Sequence, residues 1–213
     1  PLKDANEMLL AGKTEELKNA MWNAKPYRPD GIVLGSEIFD EIMKEDKYVT
    51  AQYPFKSLND KTHGLRKGEL TTITAGTGVG KSSFCRHVAL DLLKQDFGVG
   101  YIALEESIKR SALGIMGVHL KKPLHLTREG ISETQLQETF KSTIGNGNFY
   151  LYNHFGNTVA DSLLNKIRYL AKSCEVDFVV LDHLHMALSA LGDEHTNDER
   201  KLIDYFVSKL RTL

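Results

Sequence analysis

The chain has 213 residues, with 27 Lys and Arg against 28 Asp and Glu, for a formal net charge of −1. Hydrophobic residues make up 41% and charged residues 26%, a globular composition that excludes collagen, extended disorder and coiled coil as the main architecture. The balanced charge announces no nucleic-acid binder, although a local patch in an oligomer could still bind one, and the length suits one domain, or one domain with an appendage.

In chain order, Pro1 to Ala24 has a helical pattern, and Pro26, Pro29 and Gly31 then mark a linker. Ile38, Phe39, Ile42 and Met43 share one face of a short amphipathic helix whose other positions are charged. Tyr53 to Lys67 reads as irregular. From Glu69 onward, apolar runs alternate with helical periodicity. Leu70 to Ala75, Val99 to Leu104, Phe149 to Asn153 and Phe178 to Leu181 read as strands. Ser82 to Gln95 and Thr158 to Cys174 read as helices, and a last helix carries Leu202, Ile203, Phe206, Val207 and Leu210. Thr158 with Asp161, and Thr196 with Glu199, have the spacing of capping boxes. Strands without polar alternation, interleaved with helices, predict an α/β fold: a mostly parallel sheet covered on both faces. The pattern stops at a helix, Leu213, where a further strand is due, so the sheet is expected to be incomplete; the start at Pro1 suggests an excised or processed piece.

Two cysteines, Cys85 and Cys174, lack metal or redox spacing and read as free thiols in a reducing compartment. The longest uncharged run, Ser142 to Ala160, is too rich in Asn and Gly to span a membrane, and no signal peptide is expected.

The strongest chemical signal is Ala75-Gly76-Thr77-Gly78-Val79-Gly80-Lys81-Ser82, between an apolar strand and an amphipathic helix. Glycines let successive N–H groups turn inward and join the helix N-terminus around phosphate oxygens. In this Walker A pattern Lys81 reaches the β- and γ-phosphates and the Ser82 hydroxyl ligates Mg²⁺, with Ser83 following in the first turn. Ala75 stands where the usual pattern has Gly. The bland alternative is a glycine-rich turn. Phe178-Val179-Val180-Leu181-Asp182, four apolar residues ending in Asp, has the Walker B form and offers Asp182 to the metal; the bland alternative is a strand-end cap. At the end of the strand after the loop helix, Glu105 and Glu106 are both candidates to activate the attacking water, or simply an acidic helix start. Spacing does not choose between them. His183 and His185 form an H-x-H pair more consistent with a loop near the nucleotide, or with the surface, than with a metal site.

With these residues in view, the chain resembles RecA-like hexameric replicative helicases. The resemblance is specific to the helicase half of the bifunctional primase–helicases of short-tailed bacteriophages, relatives of DnaB and mitochondrial Twinkle. It is carried by Leu58 to Leu70, Leu104-Glu105-Glu106-Ser107, Leu181-Asp182-His183 and Asp198-Glu199-Arg200-Lys201, and Lys3 to Glu7 is similar to the end of the primase half. The resemblance implies a ring-shaped motor, hexamer or heptamer, moving 5′ to 3′ on single-stranded DNA and hydrolysing ATP or dTTP with Mg²⁺, with replisome partners, in the cytoplasm of a phage-infected bacterium. It implies Glu105 as catalytic base beside Lys81, and Asp182 with Ser82 on the metal. It further implies three parts: residues 1–30 as the end of a primase-like region and linker, 31–57 as a linker helix that docks on the neighbouring subunit, and 58–213 as a partial RecA-like P-loop domain.

The family's phosphate-sensing strand, basic DNA loops and arginine finger are expected beyond Leu213. Such a finger is worth ~10³–10⁵ in rate, so this chain is expected to bind nucleotide better than it hydrolyses it. The alternatives are a recombinase or clock-type ATPase without unwinding, a nucleotide-binding module, and, less well supported, a P-loop kinase.

Overall fold

The computed structural model describes residues 4–24, 28–44, 50–153, 160–184, 186 and 199–213. It divides into two compact units, Pro1–Lys47 and Tyr48–Leu213.

The first unit holds α1 (Ala5–Leu10), α2 (Thr14–Trp22), a 3₁₀ turn (Gly35–Glu37) and α3 (Phe39–Ile42). The helical pattern of the first 24 residues is broken in two at Gly12, whose φ of 72° lies in the left-handed region that glycine tolerates best. The Asp4 side chain starts α1 by accepting from the Glu7 N–H at 2.9 Å. None of the three α-helices contributes a buried residue.

The second unit runs β1 (Thr50–Ala51), α4 (Lys56–Thr62), β2 (Leu65–Arg66), α5 (Lys81–Lys94), β3 (Val99–Ala103), α6 (Ile108–Leu120), α7 (Glu133–Ser142), β4 (Phe149–Leu151), α8 (Ala160–Lys172), β5 (Phe178–Asp182) and α9 (Glu199–Arg211). The main sheet is parallel with order β4-β3-β5. Every residue of β3 is buried. Its side chains alternate between two cores, as the strand period of two demands. Val99, Tyr101 and Ala103 join α5 and α6 in one core, while Ile102, with Leu104 just beyond the strand, joins α8 and α9 in the other. β5 divides in the same way, Phe178 and Val180 against Val179 and Leu181. The expected helix-covered parallel sheet is therefore present. A Cβ on Gly100 would meet Leu170 Cδ1 at 3.0 Å, so the missing side chain lets α8 lie close on β3.

Three local features differ from expectation. Tyr53 to Lys67 is not irregular: it holds α4 and a small antiparallel pair, β1 with β2. Asn59 knits this region by accepting from Tyr53 N–H and donating to its carbonyl, both at 2.8 Å. Leu70 to Ala75, expected as a strand, forms no ladder among the described residues. A cavity of about 300 Å³ is lined by Arg66 to Ile73 on one side and by β5 on another, and Leu70 and Ile73 remain 43% and 47% exposed. An apolar run becomes a strand only where a neighbour takes its backbone hydrogen bonds. Thirdly, α6 and α7 were not placed individually by the sequence reading. The capping residues Thr158 and Thr196 lie outside the described residues, as does His185. No helix among the described residues is long and apolar enough to cross a membrane.

Candidate active site

The glycine-rich segment turns exposed from Ala75 to Gly80 and enters α5. Gly78 and Gly80 have φ of 78° and 106°, a region unfavourable to residues with a Cβ. Gly80 is the N-cap of α5 and supplies no side-chain cap. The first-turn N–H groups of Lys81, Ser82 and Ser83 thus head a 14-residue helix with no side-chain oxygen of the cap residue over them. Those donors and the helix dipole suit an anion. Lys81 Nζ donates to the carbonyls of Ala75 at 2.8 Å and Gly76 at 3.1 Å, so the ammonium is already held over the loop.

The register of the parallel sheet aligns the acidic candidates. Ala103 pairs with Asp182, and the Leu104 N–H donates to the Asp182 carbonyl at 2.7 Å. Glu105 therefore leaves β3 beside the residue after Asp182. Its Oε1 lies 2.9 Å from His183 Nε2, with the Glu105 side chain 56% exposed. Asp182 is 9% exposed, and with Lys81, Cys85 and His183 it lines the cavity along β5. Burial, and after it the Asp182 charge, pushes the Cys85 thiol up to about 11. Ser82 and Cys85 are three residues apart on α5 and so occupy neighbouring positions on one face. A hydroxyl and a carboxylate are the hard oxygen donors that Mg²⁺ takes together with phosphate oxygens. No cluster of three or more His, Cys, Asp or Glu side chains able to hold a metal occurs among the described residues.

The two adjacent glutamates part company. Glu105 stands exposed, while Glu106 turns inward onto Arg86 of α5, whose Nη2 donates to Oε1 at 2.5 Å and Oε2 at 2.7 Å. Arg86 escaped the sequence reading. Its signal is faint: one cation within the stretch of α5 that carries the apolar stripe, with its partner 20 residues away.

The fold recurs in solved structures. A DnaB-like replicative helicase, determined with attention to its interactions with primase, superimposes with a TM-score of 0.63 at 18% identity over 98% of this chain and 51% of that one. A KaiC-like protein of Pyrococcus horikoshii gives 0.52 at 17% identity, over 78% of this chain and 64% of its own. These likenesses show a RecA-like ATPase fold. In sequence the chain is 35% identical over 220 residues to the DNA helicase/primase of Enterobacteria phage T3, covering 99% of this chain and 38% of that protein. It is 29% identical over 133 residues to the chloroplastic and mitochondrial Twinkle homologue of Arabidopsis thaliana, covering 57% of this chain and 18% of that protein. The chain thus spans well under half the length of these relatives. The family model of the DnaB-like helicase C-terminal domain matches residues 51–213, and with the phosphate loop, α5 and the parallel sheet all inside that range, the chain belongs to this family.

Proposed function

We propose that this chain is the nucleotide-hydrolysing part of a ring-forming replicative DNA helicase. The observation that carries the reading is a phosphate loop with an uncapped helix N-terminus set beside two strand ends that carry Asp182 and an exposed Glu105. The backbone from Ala75 to Ser83, with Lys81, takes the triphosphate, ATP or dTTP. Ser82 and Asp182 would hold Mg²⁺, which would neutralise charge on the phosphate oxygens. Glu105 orients the attacking water and accepts its proton as the γ-phosphate oxygen bond to the leaving diphosphate breaks. Family membership supports the motor reading, with single-stranded DNA as track and a homo-hexamer or heptamer as assembly. The phage relative supports a primase half joined to it, replisome partners, and work in the cytoplasm of an infected bacterium. Within this chain we assign 1–30 to the end of that half and a linker, 31–57 to the linker helix, and 58–213 to the ATPase.

The test is triphosphate hydrolysis by the intact protein, with and without single-stranded DNA. Strong stimulation by DNA supports a nucleic-acid motor. Hydrolysis indifferent to DNA favours the second reading, a ring or filament ATPase without unwinding, which the KaiC-like fold neighbour keeps in view.

A further inference from the structure

Glu105 and Glu106 are chemically equivalent carboxylates on adjacent residues, yet one faces out and the other in. What separates them is a buried clamp. The Arg86 side chain is 8% exposed and that of Glu106 19%. Arg86 Nη2 bonds both Glu106 oxygens, and its Nε has no hydrogen-bond partner among the described residues, so Glu106 is the main compensation for burying this cation. Ser111 Oγ donates to Glu106 Oε2 at 3.3 Å, and Arg110 Nε lies 3.6 Å from Oε1. The passage is cut to fit: a Cβ on Gly114 of α6 would lie 2.5 Å from Arg86 Nε and 2.7 Å from Cζ. Any side chain there would displace the guanidinium.

Arg86 lies five residues after Lys81, inside the helix whose N-terminus the phosphate loop forms. The clamp therefore joins that helix directly to the residue next to Glu105. A buried ion pair is poor evidence of net stabilisation, because desolvation offsets its attraction; what it does supply is a fixed geometry. Glu105 and Glu106 lie in the bend between β3 and α6; with position 106 held inward on α5, position 105 stays on the exposed side beside His183.

We propose that Arg86, through Glu106, is a positioning residue for the reaction. It selects which of two neighbouring glutamates is presented to the nucleotide, and it makes phosphate loop and base one rigid body. This rests on Glu105 being the base.

The experiment compares Arg86→Ala, Arg86→Lys, Glu106→Gln and Glu105→Gln in the intact protein, measuring kcat and KM for ATP and dTTP with Mg²⁺, and nucleotide affinity by titration. The expected result is a kcat at least tenfold lower in Arg86→Ala and Glu106→Gln, with affinity and KM within about twofold, and partial recovery in Arg86→Lys. Glu106→Gln keeps the side-chain shape and tests the clamp even if Arg86→Ala does not fold. If Glu105→Gln is inactive but the two clamp variants turn over like wild type, the clamp is overturned alone. A clamp variant that loses affinity in step with kcat overturns it too, since the role is then general packing. Undiminished turnover by Glu105→Gln overturns the base assignment and, with it, this proposal.

Discussion

At the residue scale, the site is a set of donors and carboxylates whose surroundings assign their tasks. Lys81 is held on the Ala75 and Gly76 carbonyls, poised over the loop rather than spent on a carboxylate. Lys81→Ala is expected to abolish measurable triphosphate binding; wild-type affinity by isothermal titration would remove the loop from the binding site. Cys85 offers an independent probe of the wall between α5 and β5. Its thiol is raised from 9.0 to about 11, so its burial contributes stability that is present below pH 9 and lost as pH climbs toward 11. At pH 8 about one such thiol in a thousand is ionised. In a Cys174→Ser background, alkylation of folded Cys85 should keep rising past pH 9, where the denatured chain levels off. A plateau at the same pH in both states contradicts the burial.

At the element scale, each strand works by what lies on its two faces. β3 feeds two cores, and the far one is closed by α8 and α9 through Leu163, Leu164, Ile167, Leu202 and Phe206. Phe206 is fully buried. Phe206→Ala should destabilise the second unit by about 3–5 kcal/mol, read as a lower denaturation midpoint. A change under 1 kcal/mol, on the order of a surface substitution, would mean that α9 does not close this core. Helices and strands were legible wherever the apolar period was unambiguous: α5, α8, α9, β3 and β5 match their expected positions to within a few residues at each end. Leu70 to Ala75 was not, because hydrophobicity reports burial propensity and says nothing about whether a neighbouring backbone takes the hydrogen bonds. α4 was missed because seven residues with one apolar anchor, Leu58, present no period.

At the scale of the whole molecule, the first unit carries apolar side chains that its own helices leave uncovered. Phe39, Ile42 and Met43 are 64%, 66% and 67% exposed. A free helix face of this kind suits the interface proposed for 31–57, where each subunit's linker helix docks on the next. Deleting residues 36–47 from the intact protein should convert rings to monomers by light scattering; an unchanged mass sinks the docking role.

Much of the chemistry was written locally. A glycine-rich loop needs its glycines at fixed positions because they best accept the positive φ seen at Gly78 and Gly80, so residue types alone marked the candidate phosphate site. The Asp at the end of an apolar run marked Asp182 as the carboxylate proposed for the metal in the same way. Spacing could not say which of Glu105 and Glu106 stands exposed, and the resemblance alone pointed to Glu105. That choice is made at a distance, by an arginine 20 residues upstream, a glycine on a later helix that makes room for it, and a strand register that brings His183 to Glu105. None of these contacts has a periodic or contiguous signature. The sequence by itself therefore determined the fold class, the phosphate loop and the family; only the tertiary structure decided which carboxylate is exposed, because that depends on packing between segments far apart in the chain.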